Sequence, residues 1–193
     1  MKIAIIRQKF VNYGGAEQFV SAYTTHLANM GHEVNIFANQ WTPSEHPNIQ
    51  IHPIRAIKWN SFLRTLSFAW FALKAVNSKT FDLVQSHERT WRQDLYRAGD
   101  GCHREWLERR ASYLPFFKKF SFRFNLFHQL ILKLEQIIFE GGQCKKIIAI
   151  SEMVKRDILK HYQLPESRVE VVYNGVRLDR FHKRKANIRL WFN

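Results

Sequence analysis

Two adjacent glycines, Gly14 and Gly15, separate a short β-branched run, Lys2 to Ile6, from an amphipathic stretch that begins at Ala16. A strand, a glycine loop and a helix N-terminus bring free backbone N–H groups and the positive end of a helix dipole to one point, which suits a phosphate or another anion. The same pair also makes a plain strand-to-helix turn. Asp100 follows the strand-like stretch Leu95 to Ala98 and precedes Gly101. A carboxylate so placed can take or steer a hydroxyl proton, and Asp-Gly is also a common turn pair. His87, after the apolar run 81–86, and His103, three residues beyond Asp100, are imidazoles that can contact a polar ligand or serve the structure. Glu17, in the first helical turn, needs no more explanation than the helix dipole. Arg89, Arg92 and Arg97 can meet phosphates or remain solvated.

Several chemistries are excluded by spacing. A nicotinamide dinucleotide site would place G-x-G-x-x-G in the first turn and an acid after the second strand, where this chain has Gly14-Gly15 and Ala38-Asn39-Gln40. His87-Glu88 does not open H-E-x-x-H, because Trp91 stands where the second histidine would be. Cys102 and Cys144 are the only cysteines, too far apart for C-x-x-C, and they read as free thiols of a reducing cytosol. No secretory signal or spanning helix is expected, since the apolar run after Met1-Lys2 ends at Ile6 and later ones are short or broken.

The elements that position these residues alternate. Lys2 to Ile6 reads as a strand. Ala16, Phe19, Val20, Tyr23, Leu27 and Met30 give a helical stripe that Gly31 ends, and a second strand runs to Ala38. Ile49 to Ile54 reads as a strand despite Pro53. Phe62, Leu63, Leu66, Ala69, Trp70, Leu73 and Val76 form the apolar face of a crossover helix. Strands follow at Phe81–Ser86 and Leu95–Ala98, then a helical stretch from Arg104 to Phe139. A strand at Ile147–Ile150, a Ser151-capped helix to Tyr162 and a last strand at Val169–Tyr173 complete the pattern. Such alternation predicts an α/β fold with a doubly wound, mostly parallel, Rossmann-like sheet.

The chain has 193 residues, 46% of them hydrophobic, enough for one sizeable domain. Its formal net charge of +14 points to an anionic partner: nucleic acid, an acidic membrane surface or a phosphorylated ligand. From Arg104 to Lys133, cations alternate with Trp106, Tyr113 and six phenylalanines, a density of rings beyond what one helical stripe can bury. That composition suits an anionic bilayer, and also single-stranded nucleic acid. Arg109, Arg110, Phe116, Phe117, Lys118, Lys119, Phe120 and Arg123 are the expected membrane contacts. No established nucleic-acid motif accompanies the charge, so nucleic acid is the less favoured partner.

The ordered set YGGAEQFV, GHEVNIF, FDLVQSHERT, YRAGDGCHREWLERR, KIIAISEMVKRDILKHY and VVYNGVRLDRF resembles the N-terminal half of a family 4 glycosyltransferase, a two-domain GT-B protein. It is most similar to the branch that builds the lipopolysaccharide core. The resemblance covers residues 1–181 and implies an acceptor-side domain, followed here by a basic tail, 182–193, in place of the C-terminal donor-binding domain. It implies a retaining transfer of a sugar from a nucleotide-sugar to a lipopolysaccharide-core or other lipid-linked glycan, with no metal or other cofactor. It places the chain at the inner face of a bacterial inner membrane, and implies that a truncated half has little activity alone. By the same resemblance Gly14, Gly15 and His87 face the donor phosphates and sugar. Asp100 and His103 border the reacting sugar as catalytic candidates. Apart from the resemblance, Glu17, which can accept a hydrogen bond from the acceptor, and Arg89 are the expected acceptor contacts. The alternative is a non-catalytic basic Rossmann-like module that binds membrane or nucleic acid.

Overall fold

The computed structural model describes residues 1–11, 15–113, 115 and 124–175, with residues 15–17 at the level of the backbone. Short runs of β-branched, aromatic and other apolar residues bounded by turns give β1 (Lys2–Ile6), β3 (Glu33–Ala38), β5 (Ile49–Pro53), β6 (Leu83–Ser86), β7 (Leu95–Ala98), β8 (Lys146–Ala149) and β9 (Val169–Val171). These seven strands form one sheet in the order β5-β3-β1-β6-β7-β8-β9. Every described pairing in it is parallel. Two very short strands, β2 (Lys9–Phe10) and β4 (Gln40–Trp41), pair beside it. Pro53 is tolerated because β5 lies at the sheet edge, where a missing N–H leaves no ladder bond unmade.

Helices α1 (Gly15–Asn29), α2 (Ser61–Asn77), α3 (His103–Ser112), α4 (Leu126–Glu140) and α5 (Glu152–His161) connect the strands. Ile3 and Ile5 of β1 pack with Val20 and Ala28 of α1. Ala4 and Ile6, on the other side of the same strand, pack with Phe68, Ala72 and Val76 of α2. The register carries that second face across the sheet from Ile6 through Ser86, Tyr96 and Ile147 to Val169. Tyr96 and Ile147 pack there with Ile138 and Phe139 of α4 and Ile158 of α5. So α2, α4 and α5 share one face and α1 covers the opposite one, as right-handed crossovers in both directions from β1 require.

Local signals set the helix bounds. Asn60 caps α2 through Leu63 N–H, Asn125 caps α4 through Phe127 and His128 N–H, and Ser151 caps α5 through Val154 N–H. Gly31 adopts φ +83, a left-handed value that a glycine takes at low cost, and turns the chain from α1 into β3.

Three expectations are corrected. The helical stretch read from Arg104 to Phe139 is not one run: α3 stops at Ser112, and Asn125 starts α4 afresh because its side chain takes the first free N–H groups. Met30 lies just beyond α1 and is exposed, and Thr24 is buried instead, because the buried stripe of α1 runs through Val20, Thr24 and Ala28. In α2 the buried stripe is Phe68, Ala69, Ala72 and Val76, so Trp70, read as core, turns outward beside Phe71. Small residues at 69 and 72 let that helix approach the sheet closely.

Candidate active site

Because the strands are parallel, the loops after β1, β6 and β7 and the end of β9 gather at one carboxyl edge. β1, flanked by β3 and β6, is the point from which the chain winds outward in both directions, and ligands bind open α/β sheets at that edge. Arg7 and Gln8 follow β1, His87 to Arg89 follow β6, Gly99 to Gly101 follow β7, and Asn174 lies beyond β9.

His87 is the most enclosed of these groups. Its N–H donates to the Ile6 carbonyl at 3.0 Å, fixing the β6 loop to β1. Its Nε2 lies 3.0 Å from Gln85 Nε2, and Gln85 Oε1 accepts from the Tyr23 hydroxyl of α1 at 2.7 Å. The amide oxygen is committed to Tyr23, so the amide nitrogen donates to His87 Nε2 and the neutral ring carries its hydrogen on Nδ1. Burial, joined by the Arg97 and Arg7 cations, lowers the His87 pKa to about 3. The ring is thus a fixed neutral donor, suited to a hydroxyl or a phosphate oxygen without adding charge.

Positive charge at this edge comes from arginines. Arg7 reaches the His87 carbonyl at 3.5 Å and pairs with Glu88 at 3.3 Å. Burial of the Glu88 carboxyl raises its pKa, opposed by Arg7 and the Gln8 N–H. The buried Arg97 donates to Asn174 Oδ1, and its guanidinium lies 4.0 Å from the centre of the Phe19 ring of α1. Arg97 therefore holds the end of β9 and the first turns of α1 together at the edge.

Asp100 is open to solvent, with its side chain 62% exposed and one carboxylate oxygen 3.7 Å from Arg89 Nη1. Gly101, at φ +71, turns the chain directly into α3. His103 is the first residue of α3. Its ring stacks on Trp106, and its Nε2 lies 3.0 Å from His128 Nδ1 of α4. Burial, with Arg89 nearby, lowers the His103 pKa to about 4, so this imidazole is also neutral.

Glu135, which the sequence did not single out, organises the surroundings of Asp100. Fully buried on α4, it accepts from Arg89 Nε at 3.0 Å, from the His103 N–H at 2.8 Å and from the Tyr162 hydroxyl at 2.8 Å. Arg89 also donates to the Gly101 carbonyl at 3.1 Å. One carboxylate thus answers the first N–H of α3 and, through Arg89, pins both ends of the Asp100-Gly101 turn. Arg89, expected to face an acceptor, has its guanidinium committed to Glu135, Gly101 and Asp100.

Of the other expected site residues, Gly15 is the first residue of α1, and the chain enters that helix at the same edge. Gly14 and the Glu17 side chain lie outside the described residues, as do Phe116, Phe117, Lys118, Lys119, Phe120 and Arg123. Arg109 is engaged within the protein, with Nε 2.8 Å from Glu105 and Nη2 3.2 Å from Asp157. Arg110 lies over the half-exposed Trp106 ring at 5.2 Å. Glu105, Glu108 and His161 bring three potential ligand atoms together. Lys160 and Arg109 already reach Glu105, at 2.7 and 2.8 Å, so the cluster reads as an ion-pair network joining α3 to α5.

The profile of Glycosyltransferase Family 4 matches residues 13–180. Among curated proteins, the lipopolysaccharide glucosyltransferase WaaG of Escherichia coli K12 is 23% identical over 183 residues, spanning 93% of this chain and 46% of that protein. The crystal structure of WaaG, a glycosyltransferase involved in lipopolysaccharide biosynthesis, superposes with a TM-score of 0.77 at 20% identity, covering 92% of this chain and 46% of that one. Sucrose-phosphate synthase of Thermosynechococcus elongatus gives 0.63 at 15% identity over 94% of this chain and 50% of its own. The chain therefore has the fold of the N-terminal domain of these proteins and spans about half the length of the curated relative it matches.

Proposed function

The chain belongs to glycosyltransferase family 4, and on that premise we propose that it supplies the acceptor side of a cleft for sugar transfer. The reaction is transfer from a nucleotide-sugar to a lipopolysaccharide-core or other lipid-linked glycan, with retention at the anomeric carbon and without a metal ion. The observation that carries this reading is the carboxyl edge itself, which gathers a neutral buried histidine, the arginines Arg7 and Arg97, and an open carboxylate at the ends of β1, β6 and β7.

In this reading Gly14, Gly15 and the N-terminus of α1 face the donor phosphates, and Arg7 and Arg97 supply the positive field that attracts them. His87 donates from Nδ1 to a donor oxygen. Asp100 takes or steers the proton of the acceptor hydroxyl, a role its exposure permits, and His103 borders the reacting sugar from the start of α3. Arg89 and Glu17 lie on the acceptor side, Arg89 acting through the loop it holds. The basic-aromatic stretch between α3 and α4 rests on an anionic membrane surface at the inner face of a bacterial inner membrane, where a lipid-linked acceptor would be met. The donor nucleotide is completed from a second domain, because transfer requires both substrates fixed in one closed cleft.

The test is a transfer assay with a panel of labelled nucleotide-sugars and core lipid acceptor, using the chain alone and combined with a donor-binding domain of the family. Label appearing on the lipid in the combined reaction alone supports the reading. The net charge of +14 favours one other reading, a non-catalytic basic module. No transfer with any donor, together with tight sequence-independent oligonucleotide binding that weakens steeply with salt, would establish that alternative.

A further inference from the structure

We propose that the outer face of α2 and the turn that leads into it form a second lipid-contacting surface, whose ligand is an anionic bilayer. The proposal rests on the membrane reading above and extends it to a part of the chain distant in sequence from the basic-aromatic stretch.

A helix that buries one stripe against a sheet ordinarily shows polar residues on its other side. α2 does not. Trp70 is 48% and Phe71 41% exposed on its outer face, and in the turn before it Trp59 is 86% and Ile57 49% exposed. These residues are held in position. Asn60 Oδ1 accepts from Leu63 N–H at 2.8 Å, and Ile57 N–H donates to Ser67 Oγ at 2.9 Å, so the Trp59 turn is fixed to the helix. Trp70 is braced edge-on by Trp91, with ring centres 6.3 Å apart. An apolar surface kept in place at this cost in hydration implies a partner.

Charge identifies that partner. Residues 46–81 contain Arg55, Lys58, Arg64, Lys74 and Lys79 and not one aspartate or glutamate. Lys74 Nζ lies 5.0 Å from the centre of the Trp70 ring, so cation and ring present together. Tryptophans interleaved with lysine and arginine match the headgroup boundary of an anionic bilayer, where rings enter the interface and cations meet lipid phosphates. From Ser61 to Lys74 the helix spans roughly 20 Å, enough to lie along a surface.

Continuity supports the same occupant. α2 packs against α4, and both helices run antiparallel to the strands, so their N-termini lie together at the carboxyl edge. At the start of α4, Phe124 and Leu126 are strongly exposed, and Trp106 of α3 is half exposed. The α2 surface and the ends of the basic-aromatic stretch thus border the same edge, and a bilayer that meets one can meet the other.

The experiment places an environment-sensitive fluorophore at Trp59→Cys in the full chain. Cys102 and Cys144 are buried, which makes the new thiol the selective target. Met30→Cys, exposed at the end of α1 on the opposite sheet face, is the control. With vesicles containing phosphatidylglycerol, the probe at 59 should shift to the blue and resist aqueous iodide, while the probe at 30 stays quenchable and neither responds to pure phosphatidylcholine. The combined Lys58→Gln, Arg64→Gln and Lys74→Gln variant, with its far-ultraviolet dichroism unchanged, should bind those vesicles on the order of 100-fold more weakly. A chain that binds anionic vesicles while the probe at 59 remains quenchable overturns the α2 proposal and leaves the membrane reading standing. A chain that binds no vesicles overturns both. Protection of the probe by raising protein concentration alone would show a second copy as the occupant and overturn the lipid assignment.

Discussion

Arg89 and Glu135, 46 residues apart in sequence, meet in a buried ion pair with Nη2 2.9 Å from Oε1. The pair joins the loop after β6 to α4, and through Gly101 and the first N–H of α3 it fixes the turn that carries Asp100. A buried pair is costly to break because the remaining charge has no compensation. Glu135→Ala should therefore destabilise the protein by about 3–5 kcal/mol in urea titration. Glu135→Gln, which keeps an acceptor for His103 N–H, should cost measurably less. Arg89→Lys should recover little of the loss, because one ammonium cannot bridge Glu135, Gly101 and Asp100 as a guanidinium fork does. Equal stability of wild type and Glu135→Ala would remove the pair from its organising role.

How much of this was legible in the sequence depends on whether a signal was local. The β1–α1–β3 unit was, because alternating apolar residues and paired glycines announce strand, turn and helix within forty residues. The carboxyl-edge position of His87 and Asp100 followed from the strand pattern alone. Glu135 was not legible: in Lys133-Leu134-Glu135-Gln136 an acid reads as solvated, and its partners lie 46, 32 and 27 residues away. The restart at Asn125 carried a capping signal that the surrounding phenylalanines obscured. β2 and β4, two residues each, are too short for any period to show. In α2, Trp70 and Ala69 are adjacent apolar residues, and only the close approach of the helix to the sheet decides which one is buried.

The two enclosed imidazoles set an acid limit on stability. Their folded pKa values, about 3 for His87 and about 4 for His103, lie below the ordinary value near 6.5. As pH falls through 6.5 the unfolded chain takes up protons that the folded chain refuses, so stability declines from there toward pH 4 and below. His87→Gln should show a shallower loss between pH 6.5 and 4 than the parent chain. In a proton NMR titration the His87 and His103 rings should show no protonation down to about pH 5. A normal titration of either ring near pH 6.5 would contradict its enclosure.

Arg97 sits where small backbone changes reach the edge. A Cβ at Gly99 would come within 3.0 Å of Arg97 Nη1, so Gly99→Ala must push the guanidinium aside. Arg97 also holds Asn174 and lies over the Phe19 ring. Gly99→Ala and Arg97→Met should both weaken binding of a nucleoside diphosphate, Arg97→Met by roughly 10-fold or more for the loss of one charged contact. Calorimetric titration at fixed ionic strength reads this directly. Unchanged affinity in both variants would place the phosphates away from Arg97.

Asp100 offers the sharpest separation of chemistry from structure. Its side chain is 62% exposed and its nearest cation, Arg89, is 3.7 Å away and held chiefly by Glu135. Replacing the carboxylate by an amide of the same shape should leave stability within about 0.5 kcal/mol, as surface substitutions do. If Asp100 takes or steers the acceptor proton, Asp100→Asn in a transfer-competent, two-domain form should lower kcat by about 100-fold or more, with a smaller effect on the KM for donor. Thermal melting and initial-rate kinetics on the same preparation measure the two quantities. A proportionate loss of both would mark Asp100 as a turn residue. Loss of turnover at unchanged melting temperature would place a proton-handling group on the loop that Arg89 and Glu135 hold.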